Sequence, residues 1–410
     1  MGRIGIYGGT FNPPHRGHIL AVQEFARQLN LDRVLMIPAA VPPHKALPAG
    51  SPDAETRLRL CRLAAEGLPF VEVSDLELSR SGKSYTAVTV QELHRLYPED
   101  ELVLLMGTDM FLTFDQWREP KTIASLASLA MAHREKPDKK EREAIADQKK
   151  KLRRKYGARV TVLENDILDL SSTTVRQLLA FGAGRTLLPP AVYDEIRRLG
   201  LYRTGESFRN LPFDALKTAS LSFHKPKRVP HAVGCCETAQ ALAGRWGESV
   251  EDAARAGILH DVTKILDGPE QLILCEEYGI LLDDFYRRND RLLHAVTGAA
   301  VAARLFGESE KIADAIRWHT TGKPGMTTFE KIIYLADMIE PNRSFPGVEK
   351  LRKLAMRDLD RAMLVTLERS VEFVEAGGNL LHPDSVHALE WQREHMEQPC
   401  SAETINEVNE

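Results

Sequence analysis

Along residues 1–203 the apolar positions follow two rhythms. Residues 3–7, 33–37, 70–73, 101–106, 128–132 and 159–163 are compact apolar runs rich in Val, Ile, Leu and Met, as strands buried in a sheet are. Between them, apolar residues recur at helical spacing over 19–29, 54–65, 84–96, 139–156, 173–181 and 191–199. Strands alternating with helices predict an α/β domain with a doubly wound parallel sheet, which receives ligands outside the carboxyl ends of its strands. Beyond residue 212 the alternation disappears. Helical periodicity dominates at 232–246, 250–259, 292–306, 310–318, 329–338 and 348–374, so the second half is predicted to be all-α.

The polar, Gly- and Pro-bearing stretch at 204–211 reads as the linker between domains 1–203 and 212–398, and 399–410 as a polar tail. A length of 410 residues suits two or three domains, and 43% apolar with 27% charged residues is ordinary for a globular chain. A net charge of -4 exerts no global pull on nucleic acid or membrane. The basic run 136–155 lacks interleaved aromatic residues for base stacking and reads as a solvated helix. Cys61, Cys235, Cys236, Cys275 and Cys400 form no C-x-x-C pair or disulfide framework. With no signal peptide and no membrane-length apolar run, the expected location is the cytoplasm.

The first strand runs into Gly8-Gly9-Thr10-Phe11-Asn12-Pro13-Pro14-His15-Arg16-Gly17-His18, and a helix follows. Glycines there let backbone N–H groups approach a ligand, and a helix start presents unpaired donors with partial positive charge. His15 and His18 are three apart, so both face one point on the first turn. Two imidazoles beside free amides suit a triphosphate. Further clusters follow later strands: Pro42-Pro43-His44-Lys45, Ser84-Tyr85-Thr86, Gly107-Thr108-Asp109 with Trp117, and Ser171-Ser172-Thr173-Thr174-Val175-Arg176. In the last, hydroxyls cap a helix start and Arg176 offers a planar fork for phosphate oxygens. Each cluster alone has a bland reading as loop, cap or core; their order together does not.

The H-x-G-H signature first and S-x-T-x-x-R last resemble the nucleotidyltransferases, and more narrowly the bacterial nicotinate-nucleotide adenylyltransferase family, over essentially all of 1–203. Aspartate is usual in that family where Asn12 stands. The resemblance implies transfer of AMP from ATP to nicotinate mononucleotide, giving deamido-NAD and pyrophosphate, with Mg²⁺ accompanying ATP. It implies that His15, His18, Arg176 and Lys45 neutralise and align the phosphates. Gly8, Gly9, Thr10, Phe11, Gly17, His44, Arg134, Ser171, Ser172 and Thr173 would join the nucleotide site. Gly107 and Asp109 would hold the nucleotide side, Trp117 the pyridine ring, and Ser84, Tyr85 and Thr86 its carboxylate.

In the second half, His231, His260-Asp261, His294, His319 and Asp337 lie at or within helical segments. Imidazole and carboxylate suit Fe, Mn, Zn or Mg, and six such ligands are enough for two metals bridged by Asp261. Any one of these histidines alone reads as a core residue. His260 and Asp261 are expected on one helix edge, with Lys264 three residues on. The order H…HD…H…H…D resembles the HD-domain phosphohydrolases, of the type that splits diadenosine tetraphosphate symmetrically into two ADP. That resemblance implies a dinuclear centre of iron or manganese, with Lys264 and Arg343 neutralising substrate phosphate. The adjacent Cys235-Cys236 pair reads as buried packing.

Taken together, the chain is expected to be a bifunctional enzyme with nucleotide substrates, without nucleic-acid or membrane partners, and compatible with a homo-oligomer. The alternatives keep both folds but change substrates, to nicotinamide mononucleotide in the first half and another phosphoester in the second. A further one makes the HD half a metal-bound regulatory module.

Overall fold

The computed structural model describes residues 2–42, 46–80, 82–133, 137–164 and 170–396. Contacts divide the chain into two compact units, Met1–Ala180 with Gly184–Gly205, and Phe181–Ala183 with Glu206–Glu410.

The first unit is built on six parallel strands: β1 (Arg3–Gly9), β2 (Arg33–Pro38), β3 (Val71–Val73), β4 (Glu101–Gly107), β5 (Ser128–Ala132) and β6 (Val160–Val162). Their order is β3-β2-β1-β4-β5-β6. Between β1 and β4 the winding direction reverses, and the carboxyl ends of these two strands therefore flank an open crevice. Helices are α1 (Arg16–Leu29), α2 (Ala54–Ala64), α3 (Thr86–Leu96) and α4 (Thr108–Leu112). They continue with α5 (Pro120–Leu126), α6 (Lys139–Tyr156), α7 (Ser172–Ala180) and α8 (Pro190–Leu199).

The strand runs are apolar throughout because both faces of the sheet are covered. Ile4, Ile6, Leu35, Leu104, Met106 and Met131 pack on one face with Val90 and Leu93 of α3, Ile123 of α5 and Leu152 of α6. Their neighbours Val34, Val103, Leu105 and Ala130 point the other way, onto Val22, Phe25 and Leu29 of α1. The period-two alternation of a strand thus feeds two cores at once. The basic helix α6 buries Ile145, Gln148 and Leu152, and pins Lys151 to Asp115 at 2.7 Å. It packs as an amphipathic helix.

The second unit is helical: α9 (Phe213–Leu221), α10 (Val229–Trp246), α11 (Val250–Leu259), α12 (Gly268–Tyr278), α13 (Asp284–Arg288) and α14 (Leu293–Val301). It closes with α15 (Glu310–Trp318), α16 (Thr328–Ile339), α17 (Val348–Arg357), α18 (Leu359–Ala376) and α19 (Pro383–Glu394). Helices α10, α11, α14, α15 and α16 form the central packing. Gly257 is where α11 meets α10 most closely, for a Cβ there would lie 2.8 Å from Cys236 Cα.

Two expectations are corrected. The periodic stretch 348–374 is two helices, because Asp358 turns extended (φ -149°, ψ 99°) and its carboxylate caps Arg361 N–H at 2.9 Å. Apolar spacing continued across the break, and an aspartate cap was the only local sign. Nor do His260 and Asp261 lie within a helix: α11 ends at Leu259, His260 is its cap, and Asp261 begins the turns that follow. Helices α9, α12, α13 and α19 were not anticipated; α12 mixes apolar and polar residues around its circumference, which erases the periodic signal. No helix among the described residues is long and apolar enough to cross a membrane.

Candidate nucleotide and metal sites

At the end of β1 the chain turns sharply, with Phe11 in the left-handed region at φ 47°. Arg57, fully buried on α2, secures this turn: its guanidinium donates to Thr10 O at 2.8 Å and to Ala40 O at 3.1 Å. His15 caps α1, and its backbone N–H donates to His18 Nδ1 at 3.1 Å. Since His18 Nδ1 accepts, a neutral ring carries its proton on Nε2. The two rings lie 3.7 Å apart between centroids. Gly17 makes this possible, because a Cβ there would sit 3.0 Å from His15 Nδ1. Gly17→Ala is therefore expected to push the His15 ring aside and lower adenylyl transfer by up to about 10²-fold. Thermal unfolding should barely move, and kcat measured beside the melting curve checks both.

The second phosphate motif is tied to the first through backbone carbonyls. Ser172 Oγ donates to Pro13 O at 3.0 Å, and Arg176 Nη1 to Asn12 O at 2.6 Å. Arg176 Nη2 meets Thr173 Oγ1 at 3.1 Å, while Ser171 Oγ accepts from Thr174 N–H at 3.0 Å and starts α7. Burial lowers the Arg176 pKa from its usual value. Asn12 is itself buried, with Nδ2 donating to Ser51 Oγ at 2.8 Å and Oδ1 accepting from Tyr202 O–H at 2.7 Å. Its side chain braces the loop, which gives an amide a structural use where an acid is usual.

A cleft of about 510 Å³ opens at the β1–β4 crevice. Gly8, Gly9, Thr10, Phe11, His15, Gly17 and His18 line one side; Ser171, Ser172, Thr173 and Arg176 lie beside them. Ser84, Tyr85, Thr86, Gly107, Asp109 and Trp117 complete it. Tyr85 caps α3, and Gly107 caps α4, so both helix starts point amides at the cleft. His44, Lys45 and Arg134 lie outside the described residues. Four residues were missed from sequence. Arg118 lines the cleft with its guanidinium over the Tyr85 ring at 4.6 Å, His133 just after β5 lines it too, and Arg57 and Tyr202 brace from behind as positioning groups. A buried arginine on an apolar helix face was the available signal for Arg57.

In the helical unit the six expected ligands converge on Asp261, itself 1% exposed. His231 Nε2 and His260 Nε2 each stand 3.5 Å from Asp261 Oδ2. His294 Nε2 is 3.5 Å and His319 Nε2 3.9 Å from Asp261 Oδ1, and Asp337 Oδ1 is 3.2 Å from His231 Nε2. Lys264 Nζ approaches Asp261 Oδ1 at 3.2 Å, Arg343 bonds Asp337, and Arg228, which sequence did not single out, bonds Asp261.

Donor chemistry tests whether this set fits a cation. The Nδ1 atoms of His260, His294 and His319 face the carbonyls of Gly257, Arg291 and Ile316 at 2.7, 2.8 and 2.6 Å. A carbonyl only accepts, so each Nδ1 carries the proton and each Nε2 lone pair points inward, toward carboxylate oxygens that also only accept. His319 Nε2 and Asp261 Oδ1 have no hydrogen-bond partner in that interior, Lys264 Nζ being near but not aligned. Lone pairs converging from both ligand types fit a divalent ion. Protons compete for the same lone pairs. Burial opposes charge on His231, yet its bonds to Asp261 and Asp337 raise it to about 12. Burial likewise opposes charge on His260, and Asp261 raises it to about 10. Burial with the Lys264 charge lowers His294, and burial with His260 lowers His319 to about 4.

Glu340 was also missed. Its carboxylate takes the His231 Nδ1 proton at 3.1 Å and is held by Asn342 N–H at 2.6 Å. Gly234 admits it, since a Cβ there would lie 2.5 Å from Glu340 Oε2. Glu340→Ala is expected to weaken metal retention by about 10–100-fold, read by competition with a chelator.

Residues 6–178 match the cytidylyltransferase-like family, and residues 228–342 match the HD domain. A "probable nicotinate-nucleotide adenylyltransferase" of Geotalea daltonii is 39% identical over 215 residues, half of this chain and 99% of that protein. A symmetrical bis(5'-nucleosyl)-tetraphosphatase of Bacillus subtilis is 41% identical over 167 residues, 40% of this chain and 88% of that protein. A solved structure described as a predicted HD superfamily hydrolase involved in NAD metabolism, from Clostridium acetobutylicum, is 37% identical; it covers 45% of this chain and 99% of that one, with a TM-score of 0.44. With two folds, two polar sites and a relative spanned almost end to end on each side, the chain is an enzyme that belongs to the nicotinate-nucleotide adenylyltransferase family in its first half and to the HD-domain tetraphosphatase family in its second.

Proposed function

We propose that residues 1–203 transfer AMP from ATP to nicotinate mononucleotide, and that residues 212–398 hydrolyse diadenosine tetraphosphate to two ADP, both in the cytoplasm. The observation that carries the first reading is the joining of H-x-G-H to S-x-T-x-x-R: Ser172 and Arg176 bond the carbonyls of Pro13 and Asn12, which sets both phosphate motifs on one cleft wall. A phosphate oxygen of the mononucleotide attacks the α-phosphorus of ATP, the bond to the bridging oxygen breaks, and pyrophosphate leaves. The nucleophile is already ionised, so no general base is required. His18 Nε2–H, His15, the α1 amides and Arg176 hold the triphosphate in line and meet the charge that grows on the leaving oxygens. Mg²⁺ accompanying ATP would share that charge. His44, Lys45 and Arg134 are assigned to the same phosphates, and Trp117 with Ser84-Tyr85-Thr86 to the pyridine ring and its carboxylate.

In the helical unit His231, His260, Asp261, His294, His319 and Asp337 would hold two divalent ions, iron or manganese, with Asp261 between them. Such ions supply Lewis acidity and acidify a water for attack on phosphorus. Lys264, Arg228 and Arg343 already face the carboxylates and would turn to the bridging phosphates of a polyphosphate substrate. In the proposed cleavage, water oxygen adds to one of the two central phosphorus atoms and the bond to the central bridging oxygen breaks; one ADP leaves with that oxygen and the other carries the hydroxyl from water.

The test uses the full chain. Nicotinate and nicotinamide mononucleotides are compared as acceptors of AMP, and diadenosine tetraphosphate is followed by product identity. Faster turnover of the nicotinate form and ADP as sole hydrolysis product are expected; preference for the amide, or AMP with ATP as products, sinks the respective half. Chelation followed by Mg²⁺ alone should restore adenylyl transfer, while hydrolysis should return only with a transition-metal ion.

A further inference from the structure

Cys235 lies one helical turn after His231 on α10, 1% exposed. Its Sγ stands 3.7 Å from both ring nitrogens of His231. One ligand atom each from Cys235, His231, His260 and Asp337 all fall within 4.8 Å of one another. A four-coordinate ion with bonds of about 2.0–2.3 Å holds its donors roughly 3.3–3.8 Å apart. Side-chain adjustment of about an ångström therefore closes this set on one ion, without moving a helix. The placement is built into the backbone: Gly257 lets α11 approach the Cys235–Cys236 segment, which brings His260 to the same side of α10 as His231 and Cys235. His260 is shared with an adjoining group, His260, Asp261 and His319, in which the buried atoms His319 Nε2 and Asp261 Oδ1 have no hydrogen-bond partner. Its neighbour behaves differently, for Cys236 Sγ points to Gln240 Oε1 at 3.9 Å. Packing accounts for Cys236; it does not account for a sulfur among three metal-ligating side chains.

We propose that Cys235 is a sulfur donor to the ion held by His231, His260 and Asp337, making that position a mixed N, O and S site selective for ferrous iron, zinc or cobalt over magnesium. On binding, the thiol proton leaves to solvent and a sulfur lone pair forms the bond to the ion. A soft donor discriminates in this direction because thiolate favours borderline ions while hard ions prefer oxygen. The inference rests on the metal-binding reading of the helical unit.

The full chain, stripped of metal and loaded with Co²⁺, reads both levels separately. Visible d–d absorption reports that cobalt is bound, and a near-ultraviolet sulfur-to-cobalt charge-transfer band reports a thiolate ligand. Both are expected in the native protein; Cys235→Ser should lose the charge-transfer band and keep the d–d bands, and Cys236→Ser should keep both. Bound cobalt without the charge-transfer band, or a band that survives in Cys235→Ser, overturns the sulfur ligand alone. No bound cobalt in the native chain overturns the metal site itself. Zinc-edge X-ray absorption on the full chain stripped of metal and loaded with Zn²⁺ needs no variant: a sulfur shell at about 2.3 Å is expected, and a purely nitrogen and oxygen shell rejects the proposal even if Cys235→Ser does not fold.

Discussion

Replacing His18 by alanine is expected to lower kcat for adenylyl transfer by about 10²–10³-fold, the usual loss when one aligned donor to a developing negative charge is removed. The geometry explains why the effect falls on kcat more than on binding. His18 Nδ1 accepts from the His15 backbone N–H, which orients the ring, and the side chain lines the cleft. A donor fixed before the reaction needs no reorganisation as charge moves onto pyrophosphate. Ground-state affinity for ATP draws on the α1 and α7 starts as well and should change less. His18→Gln, which keeps a donor at a different reach, should recover part of the rate. Steady-state kinetics of the three proteins check this, and an unchanged kcat in His18→Ala would remove the histidine from the phosphate site. Hydrolysis of diadenosine tetraphosphate by the same variant should be untouched.

Asp261→Asn should abolish that hydrolysis and leave adenylyl transfer intact. Among the described residues Asp261 is the one carboxylate within 4 Å of His231, His260, His294 and His319, and it also meets Arg228 and Lys264. An amide neutralises the charge on which every one of these contacts depends. Neighbouring charge holds Asp261 well below the usual carboxylate range although burial acts against ionisation, and His260 is the largest contributor to that hold. Removing one partner of a buried ion pair typically costs about 3–5 kcal/mol. The helical unit should therefore also unfold earlier on heating, and bind fewer metal ions per chain by elemental analysis. Retained hydrolysis in a variant that has lost its metal would refute the site; loss of hydrolysis together with adenylyl transfer would point to a general folding defect instead.

Much of this was legible one residue at a time. Local rules suffice for the alternating strands and helices of the first half, because a strand covered on both faces must be apolar throughout and an amphipathic helix must repeat near every fourth residue. The glycine turn and paired histidines after β1 were equally plain, since backbone approach and a helix start are properties of contiguous chain. The helical unit showed less. Two helices with an aspartate cap at Asp358 kept one apolar rhythm and read as one, and α12, polar and apolar all round, showed none.

By itself, then, the amino-acid sequence determined the two fold classes, the glycine turn with its paired histidines and the identity of the histidines and aspartates that gather in the second half. These depend on short-range geometry and on residue chemistry. Only the tertiary structure decided what stands behind them: Arg57 holding the carbonyls of Thr10 and Ala40, Tyr202 bracing Asn12, Glu340 accepting from His231 Nδ1–H, Arg228 meeting Asp261 and Cys235 lying among His231, His260 and Asp337. Each of these contacts except the last joins residues far apart in the chain, through hydrogen bonds that no spacing rule encodes. Even Cys235, one turn from His231, acquires its neighbours His260 and Asp337 only where α11 and α16 close on α10.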